Sequence, residues 1–484
     1  MGLLGILVGL LLLVWLAFRG WSVLVLAPAA ALVAAAFGRE PLLANWTQTF
    51  MGSAATFLAQ FFPLFLLGAV FGKLMEDSGS VTAVARFMTE KLGKSRAMLA
   101  VVLAGAAVTY GGVSLFVAFF VLAPMAQTLF RAAGIPGRLM PAAIVLGTST
   151  FTMSALPGTP SIQNAIPMPF FGTTPFAAPG LGILAALIML GFGLWWLNRA
   201  EQAARRRGEG FGAETSVQPD VAADDEHVRE RATTAREFDP AEIHHAHHSD
   251  TTPSAFIAAL PLGVVVAVNL TMSFLVLPRL DFSFLAEERF GGTSISAVAG
   301  VWSVVVALAA AIVVVVLCNR GRLPALRQSV DAGANASALP ALSVASLVGF
   351  GAVVAALPAF AVVRDWVVGI EGGPLVSLAV ATNVLAALTG SASGGLTIAL
   401  DALGATYMKI AAETGLNPAL MHRVAVIGSG TLDLLPHNGA VVSLLAICGF
   451  SHREGYFDIV MAGIVSAVLA LVAVIALGSV FGSF

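Results

Sequence analysis

The sequence predicts an all-α polytopic membrane protein made of two inverted-topology repeats, each with about five spans, a re-entrant hairpin and a broken helix. The first observation behind this fold class is composition: 58% of the 484 residues are hydrophobic and 11% are charged, whereas an ordinary soluble domain has about 25% charged residues. The second is that interrupted apolar segments recur in the same order in both halves of the chain, as they do in membrane proteins with internal repeats.

Eight apolar segments reach or approach the length of about 20 residues that a spanning helix needs. They lie at 3–18, 21–37, 55–74, 177–198, 254–278, 294–317, 339–362 and 456–480. Three more apolar regions, at 98–130, 138–167 and 375–447, are interrupted by Gly, Pro, Thr, Ser and Asn. We expect simple spans from the eight segments, and hairpins or broken helices from the three interrupted regions.

Lysine and arginine residues indicate which loops face the cytoplasm, because cytoplasmic loops carry an excess of them. They cluster around 73–96, 131–138, 205–207 and 320–327. These loops share one side only if 98–130 and 375–412 each enter and leave the membrane on the same side, as re-entrant hairpins. Residues 1–198 and 254–484 then form two repeats of opposite orientation.

Residues 199–253 are the long polar stretch between the repeats, and they contain RRRGEG, an acidic stretch and HHAHH at 244–248. With few large apolar residues, this stretch cannot bury a core of its own, so we expect a disordered cytoplasmic linker or a loose helix. Histidines without hydrogen-bond partners that orient them are usually solvated. We therefore expect neither a metal site nor a cofactor.

The first broken helix is predicted in TSTFTMSALPGTPSIQN at 148–164, where two prolines remove helix hydrogen bonds. A break exposes backbone N–H and C=O groups that protein, water or a ligand must satisfy. Neutral donors without a lysine or arginine suit a small hydroxylated anion. The predicted substrate-binding residues here are Thr150, Ser154, Gly158, Thr159, Gln163 and Asn164. The alternative is a proline-kinked helix whose hydroxyls bond back to its own carbonyls.

The second broken helix is predicted in GSGTLDLLPHNG at 428–439. A charged residue in a membrane segment is costly and usually functional. Asp433 and His437 lie four positions apart, and a carboxylate beside an imidazole can exchange a proton, so we predict that this pair couples transport to protons. A structural role for His437 is equally open. Ser429 and Asn438 are further predicted binding residues.

The predicted hairpin tips are rich in glycine and hydroxyl groups, which let a backbone approach a ligand closely. The predicted binding residues in them are Thr109, Gly111, Gly112 and Ser114 in the first tip, and Ser391, Ser393, Gly394 and Gly395 in the second. Small residues also serve helix packing, which is the alternative. Asp401, Lys409 and His422 are expected near segment ends, away from the site.

ALPGTPSIQNAIP, with the following FFGTTPFAAPGLGI, resembles the gluconate permease (GntP) family, as do TGSASGGLTIALDALG and GSGTLDLLPHNGAVVSLL. The resemblance implies a secondary transporter of the ion transporter superfamily in the bacterial inner membrane, a homodimer with a scaffold and a moving part. It places substrate binding at 109–114, 148–164, 391–395 and 429–439. The motif LDLLPHNG more closely resembles that of relatives associated with short hydroxy or keto acids such as 3-hydroxybutyrate.

The predicted function is import of a small hydroxy-carboxylate anion, such as gluconate or 3-hydroxybutyrate, by proton-coupled symport. Sodium coupling remains an alternative because unwound carbonyls also suit sodium, as does a membrane sensor that binds a solute without moving it. Nucleic acid is not expected as a partner, because the net charge is −2 and no basic tract exceeds the ordinary charge of a loop. An enzyme is not expected, since no G-x-S-x-G elbow surrounds Ser429.

Overall fold

The computed structural model describes residues 1–212, 228–230, 233 and 238–484, and these residues form helices and connections without a strand. The first half contains α1 (Gly2–Phe18), α2 (Val23–Gly38), α3 (Leu42–Asp77), α4 (Ser80–Leu92), α5 (Ala97–Tyr110), α6 (Leu115–Ala133), α7 (Met140–Thr148), α8 (Phe151–Ser154), α9 (Ile162–Ala165), α10 (Pro167–Phe171) and α11 (Pro179–Arg206). The second half contains α12 (Ala255–Arg279), α13 (Ile295–Cys318), α14 (Leu326–Ala356), α15 (Phe360–Val368), α16 (Pro374–Thr389), α17 (Ala392–Thr414), α18 (Pro418–Thr431), α19 (Gly439–Cys448) and α20 (His452–Phe481).

The described helices confirm a polytopic membrane protein. Seven of them are long and apolar enough to cross a membrane, and two bent pairs pass the same test together. One bent pair, α18 and α19, turns by 48° at its break. α1 and α2 are shorter apolar helices that pack against each other, with Gly9 lying against Ala30.

The two halves repeat one order of elements. Three apolar helices are followed by a short amphipathic helix, a hairpin, a broken helix and a final span. The hairpins are α5–α6 and α16–α17, and the broken helices are α7–α10 and α18–α19. This is the order of elements predicted for five crossings and one re-entrant hairpin in each half. An odd number of crossings inverts the second repeat relative to the first.

Contacts between the halves are consistent with this inversion. At the side of the linker, Arg138 before α7 pairs with Glu209 after α11 and with Asp458 near the start of α20. At the opposite side, the N–H of Gly180 in α11 donates to the carbonyl of Phe484 after α20, at 2.8 Å. The beginning of one final span thus lies beside the end of the other.

α3 and α14 cross at the centre of the molecule as an antiparallel pair. Gly349 of α14 lies against the ring of Phe50, and Gly333 lies against the backbone of Val70. A Cβ at Gly333 would come within 2.7 Å of the Val70 Cα, so the glycine lets the two helices touch.

The segment predicted as a span at 339–362 is placed wrongly. The structure has α14 at Leu326–Ala356, so the helix begins well before the apolar stretch and ends before Pro358. Its first turns carry polar and small residues, so their hydropathy is too low to predict a membrane span. Its end follows from proline, which forces the preceding residue, Leu357, into an extended conformation with ψ 134°.

Candidate functional site

The first hairpin tip, residues 110–114, is bonded to the first break. Gly112 has φ +96°, a conformation that favours glycine, and it turns the chain from α5 into α6. The Tyr110 hydroxyl donates to the carbonyl of Pro157 at 2.8 Å, and the Thr109 hydroxyl lies 3.3 Å from that of Thr152. The hairpin therefore ends where the broken helix is unwound.

The break itself runs from Ser149 to Ser161 with one short helical turn inside it. Thr150 has φ −115° and ψ −106°, which ends α7. Gly158 has φ +80°, and a Cβ there would meet the ring of Phe176 at 2.5 Å. The freed carbonyl of Gly158 accepts a hydrogen bond from Asn269 of α12 at 3.0 Å. The second half of the chain thus satisfies backbone groups that the break leaves open.

A cavity of about 80 Å³ lies between the first tip, the first break, α3 and α13. Of the predicted binding residues, it brings together Thr109, Gly112, Ser114 and Gln163. Its other polar lining comes from Thr148, Thr152 and Ser161. The lining carries hydroxyl and amide groups and no charged side chain.

The hydroxyls of this region divide into two kinds. Those of Thr150 and Ser154 donate to carbonyls one turn earlier in the same helix, at 2.7 and 3.1 Å, as in a kinked helix. The hydroxyl oxygens of Ser114 and Thr159 are buried and have no hydrogen-bond partner among the described residues. Since a buried polar group without a partner is costly, the Ser114 hydroxyl beside the cavity is available to a ligand.

Arg423 of α18, a buried arginine in the second half, bonds the backbone of the first break. Its guanidinium donates to the carbonyl of Ala177 at 2.7 Å and to that of Ser154 at 3.2 Å. It also lies 3.4 Å from the side-chain oxygen of Asn164. Arg423 is fully buried, and within the described chain it forms no ion pair. The second half of the chain thus places a positive charge beside the first break, whose own residues carry none.

His422 is also placed differently from the prediction, which put it near a segment end. It is fully buried, and its ring bonds the Thr173 hydroxyl at 2.6 Å and the Asn164 side-chain oxygen at 3.2 Å. Asn164 in turn donates to the carbonyls of Thr159 and Pro175, at 3.0 Å each. Asn164 therefore connects the break to α18 and is absent from the cavity lining.

The second hairpin tip, residues 389–394, is bonded to the second break in the same manner. The Ala392 N–H donates to the Asp433 carboxylate at 2.8 Å. The Asn438 amide donates to the Gly390 carbonyl at 2.7 Å and to Asp433 at 2.6 Å. The His437 ring lies 2.9 Å from the carbonyl of Ala387. Each repeat thus has its own junction of hairpin tip and break.

The chain between Asp433 and His437 is not helical. α18 ends at Thr431, a short turn carries Asp433, and Leu435 is extended before Pro436 with ψ 156°. α19 begins after Asn438, whose side chain accepts from the Ala440 N–H at 2.8 Å. The two predicted coupling residues therefore lie inside the break, on either side of Pro436, and both contact the second hairpin.

The second junction lines a different cavity. His437, Gly390 and Thr389 line it together with Trp21, Val23 and Glu230. Of the predicted residues of the second half, His437 lines this cavity, while those of the first half that line a cavity line the first one. Nevertheless the breaks are neighbours, since a Cβ at Gly430 of α18 would lie 3.1 Å from the Ser154 Cβ.

The remaining predicted residues of the second half take part in capping and packing the helices around the second tip. Ser391 caps α17 by accepting from the Gly394 N–H at 3.2 Å, and Ser393 lies 3.2 Å from its hydroxyl. Gly395 lies against the backbone of Ala386 across the hairpin. Their positions match the packing alternative as well as the binding one. The same holds for Gly111, which lies against Leu262, and for Ser429, which donates to the Val426 carbonyl.

Comparison with known proteins decides the family. A model described as GntP family permease matches residues 1–169. Over 487 aligned residues the chain is 40% identical to a Bacillus subtilis (strain 168) protein described as "Uncharacterized transporter YxjC", and the match covers 99% of both chains. The chain belongs to the GntP permease family.

Membership of the GntP family confirms the resemblance predicted from the broken segments and makes this chain a transporter rather than an enzyme. A crystal structure of the YdaH transporter from Alcanivorax borkumensis is also similar, at 14% identity and a TM-score of 0.45 over 89% of this chain and 86% of that one. Similarity at that level does not establish a shared fold. The architecture of this GntP permease is defined by its own helices.

Proposed function

We propose that this GntP permease is a proton-coupled symporter that imports a small hydroxy-carboxylate anion, such as 3-hydroxybutyrate or gluconate, across the bacterial inner membrane. The observation that carries the proposal is the cavity at the first junction, where neutral donors surround a small space and the Ser114 hydroxyl lacks a partner. Hydroxyls and amides can bond both the carboxylate and the hydroxyl of such a substrate.

Arg423 supports an anionic substrate. A fully buried cation bonded to carbonyl oxygens alone keeps its charge uncompensated. At an effective dielectric constant of about 20, unit charges about 8 Å apart attract by about 2 kcal/mol. Arg423 holds the Ser154 carbonyl, next to Met153 of the cavity wall, so its field favours an anion there over a neutral solute.

Asp433 supports coupling to a cation. Its carboxylate oxygen accepts from Ala392 at the second tip and from Asn438 after the break. A proton on this carboxylate would weaken both bonds and loosen the hairpin from the break, so that protonation and hairpin position become linked. Sodium is the second candidate, because the carbonyls of Gly390 and Ala387 face this junction and carbonyl oxygens suit sodium.

Uptake into proteoliposomes separates these possibilities. We expect labelled 3-hydroxybutyrate to accumulate under an inward proton gradient without sodium, and to exchange by counterflow. Accumulation that requires a sodium gradient would replace the proton by sodium. A sensor would give neither accumulation nor counterflow, even if the ligand stabilised the protein against heat by mass action.

We also propose that the transporter is a homodimer, as the family resemblance implies. Light scattering of the detergent-solubilised protein is expected to give twice the mass of 49.7 kDa for the protein component. A monomeric mass in mild detergent and in nanodiscs would contradict this proposal.

A further inference from the structure

The described part of the linker enters the membrane body. Phe238 is 0% exposed and Ile243 is 1% exposed, and both belong to the main hydrophobic core. The N–H of Asp239 donates to the carbonyl of Ala336 in α14, at 2.8 Å. Ala336 lies ten residues after the start of α14 at Leu326, about 15 Å along the helix at 1.5 Å per residue. These linker residues therefore pack deep between helices.

The linker is fastened to the end of α3. The Lys73 ammonium donates to the carbonyl of Ile243 at 2.6 Å and to the Asp77 carboxylate at 2.9 Å. The N–H of Ser249 donates to the Asp77 carbonyl at 2.8 Å. The His248 ring lies 3.0 Å from the Asp77 carboxylate. Two hydrogen bonds and one ion pair thus join 243–249 to one helix end.

A protonated His248 adds a second cation beside the Asp77 carboxylate. Lys73 and Asp77 are fully buried and pair with each other at 2.9 Å, and Glu76 lies 3.8 Å from the Lys73 ammonium. The His248 ring lies 3.0 Å from the same Asp77 oxygen as Lys73, and it forms an ion pair with this carboxylate only when it carries a proton.

The same segment reaches the hairpin and broken-helix part of the molecule. The His244 ring packs edge-on against Phe120 of α6, with centroids 6.1 Å apart. Glu230 accepts from the N–H of Val23 at 3.3 Å and lines the second cavity together with His437. Residues 238–250 therefore contact α3, α14 and the first hairpin, and Glu230 lines the same cavity as the second hairpin tip.

We propose that residues 228–230 and 238–250, which we call the linker latch, fasten the two hairpin regions to α3 and α14, and that the latch closes when His248 is protonated. A closed latch opposes any movement of the hairpins relative to α3 and α14. Because the positive residues place this side in the cytoplasm, an acidified cytoplasm would close the latch. A transporter that imports protons would then be slowed by its own product, which is a consequence that rests on the proposed function.

The direction of the pH effect follows from the Asp77 contact. The hydrogen bond to Asp77, followed by the nearby Glu76, raises the pKa of His248 above its ordinary value, against desolvation and Lys73. A raised pKa in the docked state means that docking is fully stabilised below the ordinary pKa and loses this stabilisation as the pH rises through the raised one. Other ionisable groups nearby are His247 and Asp250 in the latch and Arg86 of α4, which reaches Thr252 at 3.5 Å.

Hydrogen exchange measured by mass spectrometry on the purified full-length protein tests the latch without a substrate. We compare the wild type with His248→Ala, with His248→Lys, which keeps a positive charge, and with His247→Ala, a matched control at an exposed neighbour. The readouts are the amides of 238–249 and of the second hairpin tip, 388–395. Rates are corrected for the intrinsic dependence of exchange on pH.

In the wild type and in His247→Ala, we expect protection of 238–249 to fall between pH 6 and pH 8, because the stabilisation by protonated His248 is lost as the pH rises through its raised pKa. His248→Ala should show the low protection at both pH values, and the tip should exchange faster with it. His248→Lys should stay protected at both. The proposal would be overturned if protection of 238–249 in the wild type did not change with pH, or if His248→Ala left the exchange rate of the second tip unchanged.

Discussion

Arg423 has the largest predicted consequences of any single residue in this transporter. It is a cation with 0% exposure, and its hydrogen bonds go to the carbonyl of Ser154 in the first break and to that of Ala177 before α11. Removing it would leave those carbonyls buried without donors, which costs about 1–3 kcal/mol for each group. Removing its charge would also weaken the field that favours an anion.

The first prediction separates these two roles. Arg423→Ala should lower thermal stability and weaken 3-hydroxybutyrate binding by tenfold or more, about 1.4 kcal/mol. Arg423→Lys should recover part of the affinity but little of the stability, since an ammonium cannot bond the same carbonyls as a planar fork. Melting temperature and the KM of uptake measure the two effects. Equal affinity in the two variants would show that the charge of Arg423 does not contribute to substrate binding. Arg327→Ala, at a side chain that is 94% exposed, serves as a control.

The second prediction concerns Asp433. Asp433→Asn keeps an oxygen that can accept from the Ala392 N–H but cannot exchange a proton. Uptake driven by a proton gradient should therefore be lost, while counterflow, which needs no net proton movement, should persist. Asp365→Asn, at a side chain that is 70% exposed, is the control. Gradient-driven uptake at the wild-type rate in Asp433→Asn would place the coupling proton elsewhere.

At the level of single residues, the sequence predicted which side chains lie together where they belong to one hairpin or one break, as the lining of the first cavity shows. Thr109, Gly112, Ser114 and Gln163 could be selected because their hairpin or break is visible in the local sequence. Arg423 and His422 were missed because they act on a break more than 240 residues earlier in the chain. The available signal was Arg423 directly before the apolar run VAVIGSG, since an ionisable residue inside a membrane segment is seldom without function.

At the level of elements, each hairpin depends on close approach of its two helices. Gly395 lies against the backbone of Ala386, so a Cβ at this position would push α16 and α17 apart. Backbone cannot move aside as the end of a side chain can. The second tip and its bonds to Asp433 depend on this spacing.

The third prediction follows from that contact. Gly395→Ala should lower stability by about 1–3 kcal/mol, the usual range for overpacking, and should also reduce transport because it displaces the tip. Gly52→Ala in α3 is a matched control, because nothing lies within 4 Å of a Cβ there. Melting temperatures and counterflow rates measured on both variants decide the matter. A Gly395→Ala protein as stable and active as Gly52→Ala would show that the hairpin tolerates a wider spacing.

Element boundaries were predictable where composition changes sharply at a helix end. The hairpins at 98–130 and 375–412 and the first break lie close to their predicted positions because glycine and proline mark them. The beginning of α14 at Leu326 was not predictable from hydropathy, since its first turns are polar. The packing of Phe238 and Ile243 into the core also could not be read from a stretch that is polar on average.

At the scale of the whole molecule, the inverted repeat explains why the two junctions have the same construction. Each hairpin tip is bonded to the break of its own repeat, by Tyr110 in one half and by Asn438 in the other. The polar chemistry then differs between them: neutral hydroxyls line the first cavity, while Asp433 and His437 lie at the second junction. We infer a division of labour in which the first junction binds the anion and the second binds the coupling ion.

Protection of an introduced thiol tests the central claim, that the anion binds at the first junction. Ser114→Cys, made in a protein whose native Cys318 and Cys448 are replaced by alanine, places a reactive group beside the cavity. We predict that 3-hydroxybutyrate slows alkylation of this thiol in a concentration-dependent manner, with a midpoint equal to the KM of uptake. Transport by this variant together with an alkylation rate that substrate leaves unchanged would contradict the account.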